Sequence, residues 1–347
     1  MRDFKSIVRP NILQLTDGLL SKQPTISENI RVHLDANENP YNSPYNRYPK
    51  ADYTALKNIL GQIKGIWPHC IALSNGTNEA IDFILRVFCV PGRDNIISIA
   101  PTSRNYREFA AINDIECKTA SLDNHFQITA DQILSLSDEH TKIVFLCSPN
   151  NPTGNLLDKN EVLQLCDRFQ GIVVVDEAYN EFSHTESIVR SISSHHNLIA
   201  LNTLSKAFAS AELRLAAIYA VPEIIRYIKA ITPHHHISTW TQKESMEILK
   251  RRFDVDKWIH QLLEERRKVM SAIKQLPMCE KVYDSDANFF LVKFQNADDV
   301  YQYLLKEGIA VCNCSNLPHC ENCLRITIGL PSENNLLIGA LRKYKIH

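Results

Sequence analysis

The 347-residue chain has no apolar run that reaches the roughly 18 residues of a membrane-spanning helix. It has no excess of either charge. Lys and Arg number 38 against 39 Asp and Glu, for a formal net charge of −1. Such a balance argues against nucleic acid or an anionic membrane surface as the main partner. The opening stretch MRDFKSIVRPNILQL lacks the charged, then apolar, then small pattern of a secretory leader. No internal repeat and no low-complexity tract breaks the chain. Cysteine is not scarce, with ten residues, but Cys89, Cys147 and Cys166 stand singly in apolar stretches, where buried reduced thiols are expected. With no export signal, the expected compartment is a reducing cytoplasm. The length exceeds what one simple core serves, so a large and a smaller domain are expected.

What is present is an alternation. Leu56, Ile59, Leu60 and Ile63 have helical spacing, as do Ile81, Ile84, Leu85 and Phe88. Short Ile- and Val-rich runs recur between helix-like segments: NIISIA (95–100), KIVFLC (142–147), GIVVVD (171–176), NLIALN (197–202) and AAIYAV (216–221). That pattern predicts an α/β fold with a mostly parallel sheet covered by helices on both faces. After residue 240 a long amphipathic helix over about 254–275 leads to NFFLVKF, a helix, GIAVC, CLRITIG and a last helix. These predict a smaller α+β domain. The expected division is an N-terminal segment, 1–40, packed on the small domain, a large domain, 41–245, and a small domain, 246–347.

Ligands of open parallel sheets sit at the carboxyl ends of the strands, and the chemistry-bearing residues cluster there. LSNGTNEAI (73–81) is a strand, a glycine turn and a helix start. Backbone N–H groups at Gly76, Thr77 and Asn78 suit a phosphate. Ser205 and Arg214 offer a hydroxyl and a guanidinium to the same anion. Asp176, at the end of a core strand, needs a cationic partner, and a protonated ring nitrogen is one. Tyr179 and Asn151 can hydrogen-bond a phenolic oxygen. Lys206, in NTLSKAF (202–208), is costly to keep charged in such surroundings, which brings its amine toward the nucleophilic range for an aldehyde. Phosphate, ring nitrogen, phenolic oxygen and aldehyde are together the needs of pyridoxal 5'-phosphate (PLP). Taken singly, each motif is ordinary turn or cap chemistry; their joint order is the signal.

SPNNPTG, VVDEAYNEF, TLSKAF and LRL resemble PLP-dependent aminotransferases of fold type I. LDANENPYN, NRYP, CLRITIG and NFFLVKF resemble, more narrowly, the histidinol-phosphate aminotransferase family, over nearly the whole chain. The resemblance implies transamination of histidinol phosphate with 2-oxoglutarate, in histidine biosynthesis, by a homodimer with shared active sites. It implies that Lys206 binds the cofactor covalently and moves the proton. Asp176 would partner the ring nitrogen, Tyr179 and Asn151 the phenolic oxygen. Ser205, Arg214 and the Gly76–Thr77–Asn78 turn would hold the phosphate, although the family usually has aspartate at Asn78. Tyr48 would reach the partner's site, and Arg325 would bind the substrate's anionic group, with Asn151 and Tyr48 also beside the substrate.

The departures from the family concentrate on substrate recognition. Asp17–Gly18 replaces a usual Pro-Tyr, Cys312 a phosphate-binding arginine, and Ser103 the ring-stacking aromatic. Glu212 and Ala216 replace glycines around the anchor arginine. Arg104, Lys22 and His234–His236 are the neighbours available to compensate. Without compensation, histidinol phosphate is expected to be a weaker substrate than in ordinary family members, and carboxylate-bearing donors to compete better. Two further expectations remain: a related aminotransferase acting on another amino acid or amino alcohol, and a PLP-binding protein without turnover. Cys312, Cys314, Cys320 and Cys323 have a spacing open to zinc, but a cysteine-rich loop between small-domain strands is the preferred reading, with no metal. PHHHIS (233–238) is expected to be a polar loop facing the site, because three successive histidines cannot all face one ion.

Overall fold

A computed structural model of the chain describes residues 4–19, 32, 34–50 and 52–345, with the side chains of 17–19 excepted. The large sheet is formed by β1 (Ile71–Ser74), β2 (Asn95–Ala100), β3 (Glu116–Ser121), β4 (Thr141–Cys147), β5 (Ile172–Asp176), β6 (Leu198–Thr203) and β7 (Ala216–Tyr219). Their spatial order is β1-β7-β6-β5-β4-β2-β3. Strands β3, β2, β4, β5 and β6 are parallel, whereas β7 runs antiparallel to both β6 and β1. β5 and β6 are buried along their whole length, which is why they read as unbroken apolar runs. β3 escapes that reading: ECKTAS is an edge strand with mostly exposed or half-exposed positions.

Two cores flank the sheet. One face packs Ile81, Ile84, Phe88, Phe145, Val174 and Ile225; the other packs Leu73, Leu146, Val175, Phe182 and Leu204. The helices are α1 (Pro10–Leu19), α2 (Thr54–Lys64), α3 (Thr77–Phe88), α4 (Asn105–Ile112), α5 (Ala130–Leu136), α6 (Lys159–Arg168), α7 (Pro222–Ile231), α8 (Thr239–Lys250), α9 (Arg252–Lys274), α10 (Ala297–Lys306) and α11 (Pro331–Lys343).

The N-terminal segment corrects an expectation. Phe4, Val8 and Ile12 enter the large-domain core beside Phe88 and Tyr227, not the small domain. Arg9 N–H donates to the Val87 carbonyl at 3.0 Å, and α1 lies along α7. Phe4 comes from a single 3-10 turn, Val8 from the bend after it and Ile12 from the start of α1, and burying the three outweighs the polarity of the surrounding residues.

The small domain is a four-stranded antiparallel sheet, ordered β10-β11-β9-β8, from β8 (Cys279–Val282), β9 (Phe289–Phe294), β10 (Cys312–Asn313) and β11 (Cys323–Thr327). GIAVC, expected as a strand, contributes only its last residue to β10. The cores of the two domains are joined by a helix, α9, that begins a few residues beyond the expected division at 245/246. α9 spans about 35 Å at 1.5 Å per residue. Its Val255 and Ile259 pack in the large domain, and its Val269 and Ile273 in the small one.

Candidate active site

β4, β5 and β6 lie side by side and end together, so Cys147, Asp176 and Thr203 share one edge of the sheet. Above that edge lies an open cleft of about 640 Å3. β5 delivers Asp176 at its last position, 7 % exposed. Its Oδ2 accepts from the Tyr106 hydroxyl at 2.9 Å and its Oδ1 from the Ala178 N–H at 3.0 Å. Among the described residues no cation lies within ion-pair distance of it. Burial therefore pushes the Asp176 carboxyl above its ordinary range, against the pull of those two hydrogen bonds. A carboxylate in that condition has a place for a positive group.

Lys206 follows β6 by one turn and opens into the cleft, with Nζ 5.6 Å from the centroid of the Tyr179 ring. Desolvation in the cleft lowers its pKa. The Arg325 guanidinium lowers it further, and Asp176 partly offsets both. Tyr179 is buried against Phe289 in an edge-to-face contact, centroids 5.0 Å apart, and burial holds its hydroxyl protonated well beyond the usual range.

One end of the cleft is an anion cradle. Gly76 has φ 85° and precedes α3, whose first residues, Thr77 and Asn78, line the cleft. The first backbone N–H groups of a helix have no intrahelical acceptor. A Cβ at Gly76 would fall on the Arg214 guanidinium, so the close approach requires glycine. Arg214, in the left-handed region with φ 51°, donates from Nη1 to the Ala211 carbonyl at 3.1 Å and lies 3.5 Å from Ser205 Oγ. Thr203 Oγ1 donates to Ser205 Oγ at 3.0 Å. Asn78 is tied to α4, its Oδ1 accepting from Asn105 Nδ2 at 2.8 Å.

The other end belongs to the small domain. Arg325 on β11 donates from Nη1 to Asn151 Oδ1 and lies over the Phe289 ring, 5.4 Å from its centroid. Its Nε is buried without a hydrogen-bond partner, an unmet donor of the kind that a bound anion satisfies. Ser103, Arg104 and Cys312 also line the cleft.

Nine of the eleven site residues read from the sequence line this cleft, and Gly76 backs it behind Arg214. The exception is Tyr48, which is 60 % exposed, stacks on His235 at 5.3 Å and is absent from the cleft of its own chain. The histidine loop corrects another expectation, since it does not face the site. His236 bonds the Leu73 carbonyl at 3.0 Å and the Tyr53 hydroxyl at 3.3 Å, while His235 reaches the Pro49 carbonyl at 2.5 Å. It ties Tyr48, Pro49 and Tyr53 to the large domain. Asp17 and Gly18 fall in α1, but their side chains, like Lys22, lie outside the described residues. Cys314, Cys320 and Cys323 are buried, and among the described residues no group of three or more His, Cys, Asp or Glu is arranged to hold a metal ion. Sequence reasoning missed Tyr106. The available signal was a tyrosine on the apolar face of α4, whose hydroxyl needs a partner once buried.

A parallel sheet whose carboxyl edge is covered by a small α+β domain, with a lysine and an acid between them, is the frame of fold type I PLP-dependent transferases. The chain belongs to the family described as aminotransferase class I and II, whose model matches residues 19–340. It is 42% identical over 345 residues to a histidinol-phosphate aminotransferase of Bacteroides fragilis, covering 99% of this chain and 100% of that one. The fold is shared with the histidinol-phosphate aminotransferase of Clostridium acetobutylicum, at TM-score 0.78 and 24% identity over 85% of this chain and 90% of that one. It is shared too with that of Sinorhizobium meliloti in complex with pyridoxal-5'-phosphate, at TM-score 0.78 and 17% identity over 96% and 86%. PLP is the cofactor of this family, and the donor set here fits it: a buried unpaired acid, an open lysine and a glycine-backed anion cradle.

Proposed function

We propose that the chain transfers the amino group of histidinol phosphate to 2-oxoglutarate, as a cytoplasmic homodimeric enzyme of histidine biosynthesis. The observation that carries this reading is the 42% identity, end to end, with a protein named for that reaction. Bound PLP supplies an aldehyde that takes up the amino group and a ring that accepts electrons from the substrate's Cα.

The chain's residues do the rest. Lys206 Nζ would hold the cofactor covalently and, as the amine nearest the substrate's Cα, would take the proton from that carbon as base and return it as acid. Its lowered pKa suits both roles. Asp176 sets a negative charge against the ring nitrogen and keeps it protonated, and Tyr106 orients that carboxylate. Tyr179 and Asn151 hydrogen-bond the phenolic oxygen, and Tyr179 thereby tunes the reacting centre. Ser205, Arg214 and the Gly76, Thr77 and Asn78 turn hold the cofactor phosphate. Arg325 receives the anionic end of the substrate, and its hydrogen bond to Asn151 links the substrate end to the cofactor end. Tyr48 acts in the partner's cleft.

The test is an assay of the purified holoenzyme with histidinol phosphate and 2-oxoglutarate. Glutamate should form at one equivalent per donor consumed. Glutamate formed from other amino donors but not from histidinol phosphate would replace the substrate while leaving the chemistry intact.

A further inference from the structure

We propose that Cys312 is a nucleophilic thiolate in the active-site cleft, a modification site for small anionic disulfides whose attachment closes the cleft to substrate. Four features of the cleft point to it, none of them dependent on which donor or acceptor the enzyme uses. Cys312 and Cys314 both line the cleft, but Cys312 is partly exposed whereas Cys314, Cys320 and Cys323 of the same loop are buried. It stands directly across the β10–β11 pair from Arg325, so whatever is attached to its sulfur occupies the ground in front of that guanidinium. The Cys314 thiol donates to Cys312 Sγ across 4.0 Å, a buried donor aimed at the exposed sulfur. The cleft around it carries Arg104, Arg325, Arg214 and Lys206, with Asp176 buried at its floor. Reactive cysteines sit in electropositive, partly exposed surroundings of this kind.

The titration behaviour agrees with the geometry. The hydrogen bond from Cys314 lowers the Cys312 thiol below its ordinary value; burial opposes this, and the charges of Arg325 and Arg104 add to the lowering. The other two partly exposed thiols, Cys117 and Cys279, are raised by burial instead. Of the three partly exposed thiols, Cys312 is thus the one whose surroundings favour the thiolate.

The step is an exchange. Cys312 Sγ, as thiolate, attacks one sulfur of the disulfide; a new S–S bond forms, the old one breaks, and the other half leaves as a thiolate. No further oxidant is needed. Cys314 should not complete a second exchange, because its hydrogen bond to the Cys312 sulfur and its burial push its own thiol well up and keep it protonated. The mixed disulfide should therefore persist.

The experiment exposes the holoenzyme at pH 7 to 3,3'-dithiodipropionate or, at the same concentration, to the cationic cystamine. Intact mass and peptide mapping then locate the label. The expected result is one half-probe on Cys312, at least tenfold faster for the anionic disulfide. Transamination should fall in proportion to label and return with a thiol reductant, and Cys312→Ser should take no label and lose no activity to the probe. Label on Cys117 or Cys279 with Cys312 untouched would overturn the proposal. So would equal rates for the two probes, full activity with Cys312 fully capped, or a product two hydrogens lighter in place of the adduct. Mass reports the modification whatever donor the enzyme uses, so failure here and failure of the proposed reaction are distinguishable.

Discussion

At the residue scale, the cleft is built from groups that are each unfavourable without a ligand. Lys206→Ala should abolish covalent cofactor attachment, read as loss of a borohydride-fixable absorbance band, while circular dichroism stays native. An intact, reducible band in that variant would remove Lys206 from its role. Asp176 gives a pH signature in the cofactor-free protein. Its folded pKa is raised above 3.8, so the folded state binds the proton more tightly than the unfolded state. Stability from this group is full at low pH and is lost as pH rises through and beyond the carboxylate range. Asp176→Asn should flatten that fall in denaturant midpoint against pH and yet destroy transamination; parallel curves for the two proteins would contradict the assignment. Cys312 bears on substrate choice, since a second guanidinium there would add one charge-assisted contact, on the order of 1.5–3 kcal/mol, beside Arg325. Cys312→Arg should raise kcat/KM for histidinol phosphate about 10- to 100-fold, and by more than for an aromatic amino acid. The residues placed at the strand ends were legible, because motif order fixes their position. Tyr106 was not, because its role arises from a contact across the sheet edge, 70 positions from Asp176.

At the element scale, α2 and α9 are joined through one buried acid. Glu181 accepts from Lys64 Nζ of α2 at 2.6 Å and from Arg252 Nη1 of α9 at 3.2 Å. Burial alone would raise Glu181, but Lys64 and then Arg252 hold it below its ordinary value. The stability it contributes is present above pH 4.5 and is lost as pH falls through the depressed folded value. Lys64 is 7 % exposed, so Lys64→Met should cost on the order of 3 kcal/mol by leaving Glu181 buried with a weaker partner. Arg252→Met, at a half-exposed side chain, should cost under about 1 kcal/mol in urea unfolding. Equal costs would mean that the buried pair is not the principal tie. The central strands were readable because their positions are apolar throughout. β3 and β10 were not, as one is a polar edge and the other is two residues long, held by pairing with β11 rather than by its own pattern. The packing of the N-terminal segment was not legible because three apolar residues, spread over a turn, a bend and a helix start, do not declare which core receives them.

At the scale of the whole molecule, the segment around Tyr48 points outward. Leu34, Tyr41, Tyr45 and Tyr48 are exposed on it, and Trp240 and Phe253 are exposed on α8 and α9. An apolar set of this size suits contact with a second copy. Mixing Tyr48→Phe and Lys206→Ala subunits should restore activity that neither variant has in full, because one cleft in each mixed dimer keeps both native residues. An active, strictly monomeric protein would contradict shared sites. Such an arrangement lies beyond composition and periodicity; it became an expectation only through NRYP and its likeness to a family. The central claim, that the Lys206–Asp176 cleft with Arg325 at its far end moves the amino group of a phosphorylated donor, is tested most directly by a donor comparison. The holoenzyme is given histidinol phosphate or histidinol at equal concentration with 2-oxoglutarate, and kcat/KM is measured for each. The predicted result is an advantage of at least about tenfold for the phosphorylated donor, the equivalent of about 1.4 kcal/mol from the Arg325 contact, that disappears in Arg325→Gln. Equal values for the two donors in the unaltered enzyme would contradict it.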